Sequence, residues 1–281
     1  MAFVTRFAPS PTGQLHLGHA YSALLAFDMA RAADGRFLLR IEDTDTARSH
    51  EVFETQIYDD LAWLGLTWET PVLRQSQNTA AYDAAIDTLA AKDLLYPCSC
   101  TRADIRRAAS APQEGAPLLG PDGLIYPGTC RHRPWSARTD NDAVRLDMGK
   151  ALDLIPELPQ YTETGVHPAI ELTRAHFEDG IGDIVLARRD TSTAAYHLSV
   201  VVDDAAQGIT HVIRGEDLAT ATPIHVLLQT LLGLPTPIYH HHKLIRDEAG
   251  KRLAKRDDAR AIAAYRAEGA TPRDIRQLVG L

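Results

Sequence analysis

The stretch RFAPSPTGQLHLGHAYSALLAFD, Arg6 to Asp28, places two prolines, two glycines and two histidines in a loop and then turns apolar. A short apolar run, AFVTRFAP, precedes it, so the order reads strand, punctuated loop, then a helix from about Ala20 to Arg31. In a doubly wound sheet, ligands bind beyond the carboxyl ends of the strands, where loops lead into helix N-termini. Gly13 and Gly18 permit close backbone approach and positive φ. The start of the helix offers unpaired N–H groups and a positive dipole end to a phosphate. His16 and His19 add two donors for charge developing on a phosphoryl group. The alternative is a loop in which Gly and Pro only shape a turn and the imidazoles are solvated.

Outward from this stretch, GRFLLRIED reads as a second strand. ARSHEVFETQIYDDLAWLGL carries Val52, Ile57, Leu61 and Leu64 at helical spacing, and TAAYDAAIDTLAAKD forms a third helix. That alternation implies an α/β fold with a parallel sheet and helices on its faces. From Cys98 to about Asp179 the chain is rich in Pro, Gly and Arg with weak periodicity, which reads as an insertion. A sheet pattern resumes in GDIVLARRD and AAYHLSVVVDDAAQGITHVIRG, before the helix TPIHVLLQTLLG.

The 281 residues, 45% hydrophobic and 23% charged, describe a globular chain able to bury a sizeable core. A formal charge of −8 argues against a general polyanion binder, so any nucleic acid must meet a local basic patch. No apolar run could span a bilayer and the N-terminus carries no signal segment, which points to the cytoplasm. The three cysteines, two of them in CSC, are not a disulfide framework and suit a reducing compartment.

RFAPSPTGQLHLGH resembles the first signature of class I aminoacyl-tRNA synthetases of the glutamyl branch, with HLGH, His16 to His19, in place of the family's HIGH. VVVDDAAQGITHVIRGEDLATATPIHVLLQTLLG, ending its strand in RGED, Arg214 to Asp217, is similar to that branch's second half-sheet. The resemblance implies a Rossmann-like nucleotide-binding fold with a zinc-containing insertion and a short C-terminal helical tail. It divides the chain into a first catalytic half (1–97), the insertion (98–180), a second catalytic half (181–240) and a lysine-loop region (241–281).

A site selective for glutamate needs cationic partners for two carboxylates and an anion for the ammonium, and arginine suits the former because its fork is bidentate. By resemblance Arg6, Phe7, Ala8, Pro9 and Ser10 form the amino-acid-binding loop, Glu42 holds the ammonium, and Tyr196 and Arg214 complete the contacts. Which arginine takes which carboxylate stays open. Glu42 in RIED also reads as a cap or salt-bridge acid, and Tyr196 as a core aromatic. Val200, where many glutamyl synthetases carry asparagine, implies a less polar glutamate site. The resemblance assigns ATP, with Mg2+ on its phosphates, to His16, Gly18, His19 and Lys255. The lysine loop KMSKS corresponds to Arg252 to Arg256, so positive charge stays at Arg252 and Lys255 while Ala254 replaces the serine. Catalysis is then expected from His16, His19 and Lys255.

Cys98, Cys100 and Cys130 offer three soft ligands to a metal that takes four. From the residues alone the fourth is Tyr126 or His132, imidazole being the commoner ligand. CSC followed by YPGTC resembles the zinc site of the glutamyl-Q tRNA(Asp) synthetase family and of some glutamyl synthetases, which implies Cys98, Cys100, Tyr126 and Cys130 around one structural Zn2+.

The chain stops at Leu281, without the helical anticodon-reading domain of ordinary glutamyl-tRNA synthetases. The resemblance is accordingly strongest to this same shortened family, which activates L-glutamate with ATP without tRNA and esterifies it to queuosine at the wobble position of tRNA(Asp). A monomer is expected, with Arg102, Arg106, Arg107, Arg131 and Arg133 guiding the RNA. The alternatives are a shortened glutamyl synthetase charging a tRNA 3′ end, an HxGH small-molecule nucleotidyltransferase, and a non-catalytic tRNA-binding paralogue.

Overall fold

A computed structural model describes residues 2–109, 119–166, 168–189, 193–245 and 260–281. Strand β1 (Val4–Phe7) is followed by α1 (Leu17–Ala32), β2 (Arg36–Ile41), α2 (Glu51–Trp63), β3 (Leu73–Arg74) and α3 (Thr79–Ala91). β1, β2 and β3 pair in parallel. Nearly every residue of β1 and β2 is buried, as expected of parallel strands covered on both faces. α1 begins earlier than its apolar run predicts, because His16 caps it and the motif supplies its first turn. Gly18 is therefore helical and uses no positive φ. In α2, Ile57 and Leu61 face the core while Val52 is exposed.

The chain then leaves the parallel sheet. β4 (Leu95–Cys98), α4 (Arg102–Ala109), the short pair β5 (Leu119–Gly120) and β6 (Gly123–Leu124), β7 (Ala143–Leu146), α5 (Met148–Leu154) and β8 (Val185–Ala187) come next. β4, β7 and β8 make one antiparallel sheet. GDIVLARRD thus belongs to this sheet and does not resume the parallel one. The antiparallel sheet reaches past residues 98–180 on both sides.

α6 (Tyr196–Ala206) corrects a second expectation, since it occupies the valine-rich run that reads as strand. Leu198, Val200 and Val201 are buried together with Ser199, Asp203 and Asp204. A helix enclosed on nearly all sides shows no amphipathic period, and tertiary packing overrides the β propensity of three valines. Its two acids point to different partners. Asp203 accepts hydrogen bonds from Gln75, Asn78 and Tyr82 at 2.8–2.9 Å, tying α6 to α3 and the turn before it, while Asp204 faces β1 and β2.

β9 (His211–Gly215), α7 (Thr222–Leu232) and β10 (Ile238–His242) restore the parallel arrangement. The two halves meet where β9 runs beside β1: the Thr210 N–H donates to the Val4 carbonyl at 2.9 Å and the Val4 N–H to Thr210 Oγ1 at 2.8 Å. α7 stops at Gly233, whose φ of 67° is a left-handed cap. In the tail, α8 (Ile262–Ala267) and α9 (Pro272–Val279) pack back on the first half. Ile275 and Val279 are buried and Arg276 pairs with Asp28 of α1 at 2.6 Å. Among the described residues no helix is long and apolar enough to cross a membrane.

Candidate active site

A cavity of about 730 Å³ opens where β1 and β9, the strands at which the two parallel halves meet, end side by side, the kind of crevice in which α/β folds bind ligands. Arg6 to Ser10, His16, Gly18, His19, Glu42, Tyr196 and Arg214 all line it. Residues chosen from four separated stretches of sequence therefore meet in one place. Lys255 and the rest of the lysine loop, Arg252 to Arg256, lie outside the described residues.

The histidine pair is built by the helix cap. His16 Nδ1 accepts from the Gly18 N–H at 3.1 Å, and the His16 N–H donates to His19 Nδ1 at 3.2 Å. The rings stack at 3.8 Å. Because both Nδ1 atoms accept from backbone, each neutral ring carries its proton on Nε2. The cap that satisfies the first N–H groups of α1 thus also fixes both tautomers.

Arg6 sits at the floor of the cavity, 5% exposed, with Nε and Nη2 on the two Asp204 oxygens at 2.9 and 3.2 Å. Asp204 also accepts from Arg40 Nη1 at 2.6 Å, and Arg40 Nη2 reaches Glu42 Oε1 at 3.1 Å. The Glu42 N–H donates to the Pro9 carbonyl at 3.0 Å, which ties the end of β2 to the first loop. Burial pushes the Glu42 carboxyl above its ordinary value, opposed by the charges of Arg40 and Arg6. Asp204 is held low: burial works to raise it, and Arg6 and Arg40 outweigh that.

Arg214, at the end of β9, is enclosed. Its Nε donates to His241 Nε2 at 3.0 Å, Nη1 to His225 Nδ1 at 3.1 Å, and Nη2 to Thr222 Oγ1 and the Leu218 carbonyl at 2.8 and 3.2 Å. This changes the expected fork on fork. Arg6 keeps its Nη1–Nη2 end for a bidentate contact, whereas among the described residues Arg214 has one N–H left, on Nη1. Tyr196 lines the cavity, and its hydroxyl is raised by burial. Val200, one turn beyond Tyr196, is not among the residues lining the cavity and is buried in the core cluster that also holds Leu198 and Ile224.

Arg40, Asp204, His225 and His241 were not legible as site residues, nor was His242, which lines the cavity and meets Ser22 Oγ at 2.7 Å. The signal available was local: two acids closing a valine run, and the three histidines of PIYHHHK.

The cysteines also converge. The sulfurs of Cys98, Cys100 and Cys130 lie within 4.8 Å of one another, with Cys100 and Cys130 at 3.5 Å. Tetrahedral sulfur ligands on zinc stand about 3.8 Å apart for a bond of about 2.3 Å. The Tyr126 hydroxyl lies 3.4 Å from both Cys98 and Cys100 and accepts from the Cys130 N–H at 2.8 Å. His132 is instead exposed and lines a separate cavity with Arg131, Arg133 and Trp135. Burial tends to raise the Cys130 thiol, yet hydrogen bonds from Tyr126 and the backbone bring it below its ordinary value. The cluster can hold a metal ion, with Tyr126 better placed than His132 to complete it.

The expected basic patch divides. Arg131 is paired with the buried Asp183 at 2.8 Å and Arg133 with Asp142 at 2.7 Å. Arg102, Arg106 and Arg107 are exposed on α4.

Comparison with known proteins gives a consistent picture. The family model for class I tRNA synthetases (E and Q), catalytic domain, matches residues 2–147 and 154–281. A Rhodobacter capsulatus protein named Glutamyl-Q tRNA(Asp) synthetase is 60% identical, over 99% of this chain and 100% of the relative. A Nocardia farcinica protein of the same name is 42% identical, over 98% of this chain and 82% of the relative. The solved glutamate tRNA ligase of Elizabethkingia meningosepticum, in complex with its amino acid, has a TM-score of 0.75 at 26% identity. That match covers 100% of this chain, which spans 61% of the length of the solved ligase.

Proposed function

The chain belongs to the class I tRNA synthetases of the E and Q branch and, within it, to the glutamyl-Q tRNA(Asp) synthetase family; from that premise we propose that it activates L-glutamate with ATP, without tRNA, and transfers the glutamyl group to queuosine at the wobble position of tRNA(Asp). The observation that carries the first half of this reading is the meeting of Arg6, Arg214, Glu42 and Tyr196 in the cavity headed by His16 and His19. The names of the relatives carry the second half.

Glutamate enters with its ammonium at Glu42 and its carboxylates divided between Arg6 and Arg214. ATP, bringing Mg2+ on its phosphates, lies over the first turn of α1. The α-carboxylate attacks the α-phosphorus in line, forming the mixed anhydride and expelling pyrophosphate. The Nε2–H groups of His16 and His19, with Lys255, stabilise charge on the phosphates, and positioning supplies most of the acceleration. A hydroxyl of the queuosine cyclopentenediol then attacks the anhydride carbonyl and releases AMP. Cys98, Cys100, Tyr126 and Cys130 would hold one structural Zn2+, which when bound would pin the insertion. Arg102, Arg106 and Arg107 meet RNA phosphate. The enzyme works in the cytoplasm as a monomer; of the division at residues 97, 180 and 240, the first two move outward to the ends of the antiparallel sheet, at Leu95 and Ala187.

Glutamate-dependent exchange of pyrophosphate into ATP in the absence of tRNA tests the activation step. Exchange driven by a phosphorylated metabolite instead would assign a nucleotidyltransferase. A second reading, charging of a tRNA 3′ end, rests on the likeness to the solved glutamate tRNA ligase.

A further inference from the structure

Two hydrogen-bonded chains run from Arg214 into the stretch between the halves of the parallel sheet. On one side His225 Nε2 lies 3.0 Å from His197 Nδ1, and His197 Nε2 lies 2.9 and 3.0 Å from the Asp122 carboxylate oxygens. On the other, His241 Nδ1 lies 2.5 Å from Glu163 Oε2. All three histidines are buried.

Arginine has only donors, and that dictates every proton along both chains. His225 Nδ1 and His241 Nε2 each face an Arg214 N–H and must accept. His225 then carries its proton on Nε2 and donates to His197 Nδ1. His197 in turn carries its proton on Nε2 and donates to Asp122. His241 carries its proton on Nδ1 and donates to Glu163. Each chain closes on a carboxylate, an acceptor only, so all donors and acceptors match with neutral rings. Burial and the neighbouring Arg214 hold His225 well below the ordinary histidine range, in agreement with a neutral ring.

The carboxylates are themselves fixed in place. Asp122 is at the two-residue turn between β5 and β6, and a Cβ on Gly120 would come within 2.7 Å of the Gly180 carbonyl, so the hairpin is seated directly against that backbone. Glu163 Oε1 accepts from the N–H groups of Gly165 and His241 at 2.7 and 3.0 Å. The Val166 and Tyr239 N–H groups extend this ladder along β10 by donating to the His241 and Thr162 carbonyls.

We propose that Asp122 and Glu163 are positioning residues for the substrate arginine: through His197 and His225, and through His241, they fix the acceptor nitrogens that hold Arg214 and so aim its remaining Nη1–H at a carboxylate of the amino-acid substrate. The proposal deepens the reading of the cavity as a glutamate site and rests on it. Asp122 is 55% exposed, so it acts by directing protons rather than by supporting the core.

Asp122→Asn tests this, because an amide can either accept from His197 or donate to it. Donation reverses the chain and turns an N–H of His225 against Arg214, the fault an amide introduces wherever a carboxylate sets an imidazole tautomer. In pyrophosphate exchange the variant should raise KM for glutamate about tenfold, with kcat and KM for ATP within about twofold of wild type, as expected for one weakened charged hydrogen bond. Two-bond proton–nitrogen NMR spectra of the unliganded wild type should show His197 and His225 both protonated on Nε2. An unchanged KM for glutamate, an equal rise in KM for ATP, or an Nδ1–H on His225 would overturn the proposal. Wild-type protein inactive with glutamate but showing the predicted tautomers would refute the glutamate reading, and the substrate part of the proposal with it.

Discussion

Asp204 and Arg6 are 198 residues apart in sequence and joined by two hydrogen bonds of 2.9 and 3.2 Å at the floor of the cavity. This pair fastens the second half of the fold to β1, and it leaves the Nη1–Nη2 end of Arg6 for the cavity that Arg6 lines. Asp204→Ala removes the carboxylate partner of the buried Arg6 guanidinium, while Arg40 keeps Glu42 at 3.1 Å and Asp203 at 3.8 Å. Loss of one partner from a buried ion pair costs about 3–5 kcal/mol. Denaturant unfolding should show that loss, together with a raised KM for glutamate.

His19 separates capping from catalysis. Replacement by Asn keeps an acceptor for the His16 N–H but removes the Nε2–H. The rate of pyrophosphate exchange should fall by about 10²–10³, the effect of removing one donor to developing charge. KM for glutamate and thermal stability should change little, as isothermal and melting measurements on the same preparation would establish.

Glu42 predicts a pH dependence. Its pKa is raised, by burial first, so it takes up a proton at a higher pH than an ordinary glutamate side chain. Only the carboxylate offsets the substrate ammonium, so KM for glutamate should climb as pH falls through this raised value and be level above it. Glu42→Gln should abolish that dependence and raise KM at neutral pH about 10- to 100-fold, the range for a hydrogen bond between charged groups. A KM–pH profile of both proteins checks the sign.

The cysteine cluster predicts one zinc per chain by elemental analysis. Cys130→Ser should lose it and lower the melting temperature, whereas His132→Ala should retain it. Tyr126→Phe should weaken retention under chelator, since the hydroxyl is placed between Cys98 and Cys100.

The parts of the site that were legible lie within single short stretches. Arg6 to Ser10 and His16 to His19 surround one loop, and Glu42 closes the strand beside it, so local order alone brings them to the same sheet edge. Asp204 was hidden because three valines ahead of it read as strand, while burial on almost every side of α6 erases the helical period. β8 was misassigned for a related reason: a short apolar run does not say whether its partner is parallel or antiparallel. The enclosure of Arg214 depends on residues drawn from β10, α7 and, beyond them, Asp122 and Glu163, contacts that no spacing rule encodes. Val200 shows the same limit in reverse, for its place in a motif suggested the cavity and its packing assigns it to the core.

The most direct test of the central claim uses tRNA(Asp) with queuosine and tRNA(Asp) with unmodified guanosine at the wobble position, each carrying a 3′-terminal nucleotide without vicinal hydroxyls. With ATP and labelled glutamate, the account predicts label on the queuosine tRNA alone, undiminished by the blocked 3′ end. Label that disappears when the 3′ end is blocked, or that appears on tRNA(Glu), would contradict it.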